Sequence, residues 1–376
     1  MDIRGISGGR LRIDLDAIVH NYRRIAGQVA PAEVGAVVKA DAYGLGAIPV
    51  VEALRDAGCR LFFVAHLGEA LELRATLPAA TRLVVLNGLP PGSEALCAGA
   101  DVTPVLNSPE QAQRWAEAAH VAGRRLPAIL QVDSGMGRLG IATEDLAPLV
   151  ENARFRTMVE LVMFMSHLAC ADTPDDPVNA AQLACFETAA ALFPGVPRAL
   201  ANSGGAFMPV GFHADFVRTG IALYGGAPNP SAPNPMSPVV TLDARVIQIR
   251  TIAAGGGVGY GHSHHCERES RIATIGVGYA DGLPRSLGNR GAAWHAGVRL
   301  PIVGRVSMDS ITIDITALPL DAIGAGDWVE LIGPHQPIDA FADDAGTISY
   351  EMLTGLGARY DRTYSPASTR DRAVAA

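Results

Sequence analysis

The short apolar run GAVVK (35–39) ends on Lys39, and a lysine in that position can do chemistry. At the end of a buried strand the amine loses charge on partial burial, and a neutral amine can form a Schiff base with an aldehyde. Position alone also allows a plainer role, a surface lysine whose stem lies along apolar neighbours. Other polar residues close apolar runs in the same way: His66 after LFFVA, Asp133 after AILQV, and His167 after LVMFMS. Arg218 lies in FVRTGIALYG, Arg138 follows its run by a few residues, and Asn202-Ser203 follow RAL. Two further stretches attract attention and are set aside. HSHHCE (262–267) has metal-ligand residue types but no recognised ligand spacing, so a surface hairpin is expected there and no metal. DSGMG (133–137) lacks the G-x-S-x-G form of a serine nucleophile.

The elements that must position these residues alternate. DAIVHNYRRIAGQV (16–29) places Ile18, Tyr22, Ile25 and Val29 on one helical face, with Asp16 as the expected N-cap. Apolar strands are expected at 35–39, 61–66, 82–87, 128–133, 161–167 and 216–225. A helix is expected at 108–123, with Ser108 as N-cap, Pro109 at its first position, Gln111 closing a capping box and Gly123 at its end. Strands apolar on both faces and separated by helices mean a parallel sheet covered by helices, and the length suits a (β/α)8 barrel over 11–230. An open doubly wound sheet would need a G-x-G-x-x-G turn. GGGVGYG (255–261) does not satisfy that pattern and reads as a hairpin turn.

Five prolines in 227–238 mark the boundary. Beyond it the pattern is strand-only (ARVIQIRTI, RIATIGVG, RLPIVG, ITIDI, WVELIG) with one helical segment near 348–358, so a mostly-β domain over 239–376 is expected, one that residues 1–10 could join. The 376 residues are 49% hydrophobic and 18% charged, enough apolar material for large cores and too much for wholesale disorder. A formal net charge of −8 offers no global field for nucleic acid and no polybasic membrane patch. Five scattered cysteines without CxxC spacing fit a reducing compartment, and the start of the sequence has no signal-peptide core. A soluble cytoplasmic protein is expected.

The flank of Lys39, AVVKADAYGLGA (36–47), resembles the pyridoxal-phosphate signature of alanine racemases. Further blocks resembling that family follow in order: VDSGMGRLG (132–140), SHLACAD (166–172), ANSGG (201–205), RTGIALYG (218–225), VGYG (258–261), GVGYADGLPR (276–285), GRVSMD (304–309) and ISYE (348–351). The resemblance covers nearly the whole chain and implies an N-terminal barrel with a C-terminal β domain. It implies interconversion of L- and D-alanine with pyridoxal 5'-phosphate, in a homodimer whose active sites are made by both chains. That reaction would supply D-alanine for peptidoglycan or serve alanine catabolism. A broad-specificity amino-acid racemase acting on serine or others is the alternative. A pyridoxal-phosphate-binding carrier fits less well, because binding alone needs neither the second domain nor Tyr260.

The resemblance also implies roles. Lys39 would hold the cofactor and act as base on one face of the substrate Cα, and Tyr260 of the other subunit would serve the opposite face, since racemisation removes a proton from one side and returns one to the other. A tyrosine with a pKa near ~10 is a poor base unaided, and His167 and Arg218 are its expected support. Arg218 would face the pyridine nitrogen and, keeping its own proton, leave that nitrogen unprotonated. Tyr43, Tyr350, Asn202, Ser203 and the backbone N–H groups of Gly220 and Ile221 would hold the phosphate end. Arg138 and the partner's Met308 backbone would take the substrate carboxylate. One departure stands out: many members carry a carbamylated lysine two residues before the aspartate of the VDSGMGR block, and this chain has Gln131. An anion such as chloride near Gln131 and Arg138 is expected in compensation.

Overall fold

The computed structural model describes residues 6–366; the parts of the expected C-terminal domain at 1–5 and 367–376 lie outside the described residues. The chain forms two compact units. One comprises Ile18–Leu223 with Ala227–Met236; the other comprises the described residues up to Ala17, Tyr224–Gly226, and the described residues from Ser237 on.

β1 (Gly9–Asp14) buries Leu11 and Ile13 and exposes Arg10 and Arg12, the two-residue period of a strand. The helix Leu15–Val29 follows directly, with Ile18, Ile25 and Val29 buried. Its cap is Asp14, whose Oδ1 accepts from the Ala17 N–H at 2.9 Å, and not Asp16 as expected from the sequence. The strand's last residue doubles as the cap, so the helix starts earlier than its apolar face suggests.

The first unit is a closed barrel of eight parallel strands: β2 (Glu33–Val37), β3 (Leu61–Val64), β4 (Arg82–Val85), β5 (Thr103–Leu106), β6 (Leu126–Gln131), β7 (Val159–Met165), β8 (Arg198–Ala199) and β9 (Phe216–Thr219). It closes through β9 on β2, Glu33 opposite Phe216 and Ala36 opposite Thr219. This is the (β/α)8 architecture the alternation predicts. Two strands escape sequence reading: β8 is two residues long, and β5 is four residues that include Pro104. The helix Pro109–Val121 is capped by Ser108 Oγ, which accepts from the Gln111 N–H at 3.3 Å. The reciprocal bond differs from the expected capping box: Gln111 Oε1 accepts from Asn107 N–H at 2.8 Å, one residue before Ser108.

The second unit contains β10 (Val240–Ile252), β11 (Gly257–Val258), β12 (His264–His265), β13 (Ser270–Ile275), β14 (Ala292–His295), β15 (Val298–Pro301), β16 (Ile311–Asp314), β17 (Trp328–Ile332) and β18 (Asp361–Ser365). β10 is the spine: it pairs antiparallel with β1, β13 and β17, and its register shifts at Leu242/Asp243 and Val246/Gln248 let one strand serve several partners. β11 and β12 form the hairpin expected from GGGVGYG and HSHHCE. The helix Ser349–Gly355 falls in the expected helical segment; the helix Ile338–Ala345 was not expected, though Ile338, Phe341, Ala342 and Ala345 are buried at helical spacing. Among the described residues no helix is long and apolar enough to cross a membrane, and no group of three or more His, Cys, Asp or Glu side chains could hold a metal.

Candidate active site

Lys39 stands two residues beyond the end of β2, and it is the only lysine in the sequence, every other Lys-or-Arg position being arginine. That count is a signal the sequence reading missed. Burial is the main influence that lowers the Lys39 pKa; Arg138 adds to it, and Glu69 opposes it.

The chain after Lys39 turns in an unusual way. Ala40, Asp41, Ala42 and Tyr43 all have left-handed helical backbones, with φ of 54, 54, 53 and 57°. None is glycine, and such a conformation costs about 1–2 kcal/mol per residue, so the surroundings must over-determine it. They do. Glu69 Oε1 accepts from Ala40 N–H at 2.5 Å, Asp41 Oδ1 accepts from Ala47 N–H at 2.6 Å, and the Asp41 carbonyl accepts from Gly46 N–H at 2.9 Å. Glu69 Oε2 also accepts from Ala65 and His66 N–H groups at 2.8 and 2.9 Å. His66 itself is exposed.

Arg218, on β9, is 3% exposed. Its guanidinium donates to the carbonyls of Ala199 (2.9 Å), Ser166 (2.5 Å) and Leu200 (3.3 Å), and Nη2 lies 3.4 Å from His167 Nδ1. Among the described residues no carboxylate pairs with it. Burial pushes its pKa down to about 10, leaving it charged at neutral pH. His167 follows β7; burial, with Arg218, Arg138 and Lys39 around it, pushes the imidazole down to about 3. It is therefore neutral. Facing a guanidinium donor, Nδ1 is the acceptor, which leaves the proton on Nε2.

Next to this pair lies a compact polar group. Ser203 Oγ accepts from the N–H groups of Gly220 (2.9 Å) and Ala222 (3.3 Å) and is 3.3 Å from Thr219 Oγ1. Tyr43 is buried, and a Cβ on Gly220 would lie 2.2 Å from its hydroxyl oxygen, so any larger residue there would have to displace the tyrosine. Ile221 is buried at the head of the turn Ile221–Tyr224. Asn202 Oδ1 accepts from Gly205 N–H at 3.0 Å, which fixes the orientation of the side-chain amide and its Nδ2 donors.

Arg138 is exposed on the loop after β6. That loop is built on Asp133, whose carboxylate accepts from Gly135, Met136 and Gly137 N–H groups at 2.9, 2.8 and 3.0 Å. Gln131, buried beneath it, donates Nε2–H to the Leu139 carbonyl at 3.1 Å.

The barrel thus brings together Lys39, Tyr43, Arg138, His167, Asn202, Ser203, Arg218, Gly220 and Ile221. Three expected site residues belong to the other unit. Tyr260 projects from the turn between β11 and β12, flanked by Gly259 and Gly261 at φ 69 and 68°. A Cβ on Gly304 would lie 3.0 Å from the Val258 carbonyl, so the strand β11 that leads into that turn packs close against the loop from β15 to Met308. The Met308 carbonyl accepts from Ala280 N–H at 3.0 Å, and Tyr350 sits in the helix Ser349–Gly355.

Residues 13–228 match the model of the alanine racemase N-terminal domain, and residues 239–364 that of the C-terminal domain. A relative from Agrobacterium fabrum named "Alanine racemase, catabolic" is 54% identical over 96% of this chain and 93% of its own length. An alanine racemase from Brucella abortus is 50% identical over 95% of this chain and 94% of its own. The crystal structure of alanine racemase from Bartonella henselae with covalently bound pyridoxal phosphate superposes with a TM-score of 0.92 at 45% identity, covering 95% of this chain and 99% of that one.

Proposed function

The chain belongs to the alanine racemase family, and from that premise we propose that it interconverts L- and D-alanine with pyridoxal phosphate at the barrel mouth, in a homodimer whose sites draw on both chains. The observation that carries this reading is the gathering of Lys39, Arg138, His167 and Arg218 at one mouth, with an arginine held by carbonyls and, among the described residues, no paired carboxylate. Such a cluster suits an anionic ligand.

The residues present fit the cofactor. An amine of lowered pKa suits its aldehyde, and the position at Gly220, which a Cβ would fill, brings the Tyr43 hydroxyl, Ser203 Oγ and backbone N–H groups together for its phosphate. Asn202, Ile221 and Tyr350 complete that proposed set. Bound pyridoxal phosphate supplies an electron sink that eases loss of the alanine Cα proton.

The rest is work for this chain's own residues. Arg218 stays protonated, so it offers hydrogen-bond donors without giving up a proton, and it holds neutral His167 in one tautomer. Lys39, with its charge disfavoured by burial and by Arg138, takes or returns a proton on one face of the substrate Cα. The partner subunit's Tyr260 serves the other face. Arg138, held out by the Asp133-centred loop, binds the substrate carboxylate with the partner subunit's Met308 backbone. The name of the Agrobacterium fabrum relative supports a catabolic setting.

Borohydride reduction of the purified protein followed by peptide mass mapping tests the site: the label belongs on Lys39, and since the chain has no second lysine, label on the α-amino group instead would overturn it. Loss of optical rotation with L-alanine, L-serine, L-lysine and L-arginine tests the reaction; L-alanine should be fastest, and equal rates would favour the broad-specificity reading.

A further inference from the structure

We propose that Glu69 is a positioning residue for Lys39: its carboxylate clamps the left-handed turn that starts next to the lysine and supplies a negative charge facing the amine. This rests on the reading of Lys39 as the cofactor-bearing residue.

The geometry is specific. Glu69 lies in the helix Leu67–Arg74 that follows β3, yet its carboxylate reaches across to the neighbouring strand end. One oxygen takes Ala40 N–H at 2.5 Å; the other takes Ala65 and His66 N–H at 2.8 and 2.9 Å. Ala40 is at once the residue after Lys39 and the first of the four left-handed residues. The carboxylate therefore ties the ends of β2 and β3 together at the point where the backbone adopts its least favoured conformation. Among the charged groups that act on Lys39, Arg138 disfavours the protonated amine and Glu69 favours it, while His167 stays neutral. Glutamine in this place would keep the shape but not the function. A glutamine side chain has one acceptor oxygen, so three backbone donors could not all be satisfied, and the charge would be gone.

The experiment compares the loaded wild-type enzyme with Glu69→Gln and with the double variant Glu69→Gln/Ala40→Gly. It reads the rate of pyridoxal phosphate release on gel filtration, the pH midpoint of the bound cofactor's absorbance, and the melting temperature. Glu69→Gln should release the cofactor about tenfold faster or more, because a displaced Lys39 no longer meets it squarely. Its pH midpoint should fall, because the negative neighbour is lost. Ala40→Gly should bring the release rate back to within about threefold of wild type, since glycine adopts the left-handed turn unaided. It should not restore the midpoint, because the charge stays absent.

Wild-type release and midpoint in Glu69→Gln would overturn the proposal, as would a lowered melting temperature with both readouts unchanged. Should Glu69→Gln not fold, Glu69→Asp is read instead: it keeps the charge on a shorter arm, so faster release with a near-normal midpoint is expected, and wild-type release would overturn the idea. If the wild-type enzyme shows no borohydride label on Lys39, the underlying reading of the site fails, which is a separate result.

Discussion

The barrel mouth and the second unit treat their candidate residues in opposite ways. Arg218, Ser203 and Tyr43 are 3, 3 and 5% exposed, and Arg218 and Ser203 have their polar atoms engaged by the barrel itself. Tyr260, Met308 and Tyr350 are 71, 52 and 43% exposed, although the backbone beneath Tyr260 and Met308 is tightly set. The first set is part of a core, so chemistry and stability are coupled there. The second set is held out on fixed supports, where a side chain can be removed with little structural cost. An exposed tyrosine on a glycine-flanked turn suits a residue that works only against another surface.

The largest effect expected from this contrast is on turnover. Lys39→Ala and Tyr260→Phe should each lower racemisation by roughly 10³-fold or more, since each removes one of two acid–base groups. Co-expressed with different tags, the two inactive proteins should form mixed dimers that recover one intact site. Recovery measured on the doubly tagged species sharpens the comparison. No recovery there would place both residues in the same chain's site and remove the need for a second surface.

Stability should separate the two regions next. Arg218→Gln leaves the buried carbonyls of Ser166 and Leu200 short of donors, at about 1–3 kcal/mol for each one stranded, while the Ala199 carbonyl keeps its bond from Ser166 N–H. Tyr260→Phe should change unfolding free energy by less than about 0.5 kcal/mol. Urea melts of both variants decide it; equal losses would break the comparison.

A smaller effect lies in the pH dependence. His167 has a native pKa of about 3, against roughly 6.5 for an unfolded histidine. Between those values the unfolded chain binds the extra proton, so stability falls as pH falls through that window, by at most about 1.4 kcal/mol per pH unit. His167→Asn should flatten the decline between pH 7 and 5 in urea melts. Substitution of His262, on the turn of the second unit, serves as the control; a slope unchanged in His167→Asn would show that the imidazole takes up protons in the native state.

Much of the barrel was legible because its strands are apolar on both faces, and the lysine that closes one of them announced itself by position. The parts that were not legible are those where the information is not local. The ADAY segment has no glycine, so nothing in it signals four left-handed residues; the stabilising bond comes from Glu69, 29 residues later, across two strand ends. β8, with two residues, is too short for any periodicity. The helix Ile338–Ala345 did carry its apolar spacing and was overlooked among strands. Tyr260 became a candidate only through the family resemblance, because an aromatic at a glycine-rich turn has no chemistry of its own to declare.

The smallest expected effect concerns Gln131, and it bears on how the barrel holds a residue that is itself exposed. A carbamylated lysine would act on Arg138 through charge. Gln131 instead donates its amide proton to the Leu139 carbonyl, one residue beyond Arg138, on a loop already organised by three N–H bonds to Asp133. That support is neutral and acts on the backbone, so we expect activity to be indifferent to removal of bicarbonate. Gln131→Leu keeps the bulk and loses the donor; a single hydrogen bond of about 0.5–1.5 kcal/mol then predicts a rise in KM for alanine of roughly 2- to 10-fold with kcat little changed. Adding chloride to halide-free enzyme at constant ionic strength separates the two kinds of support. A KM that falls with chloride in the wild type and not in Arg138→Lys would show the expected anion at the guanidinium sharing the task, whereas no response would leave the backbone tie as the whole support.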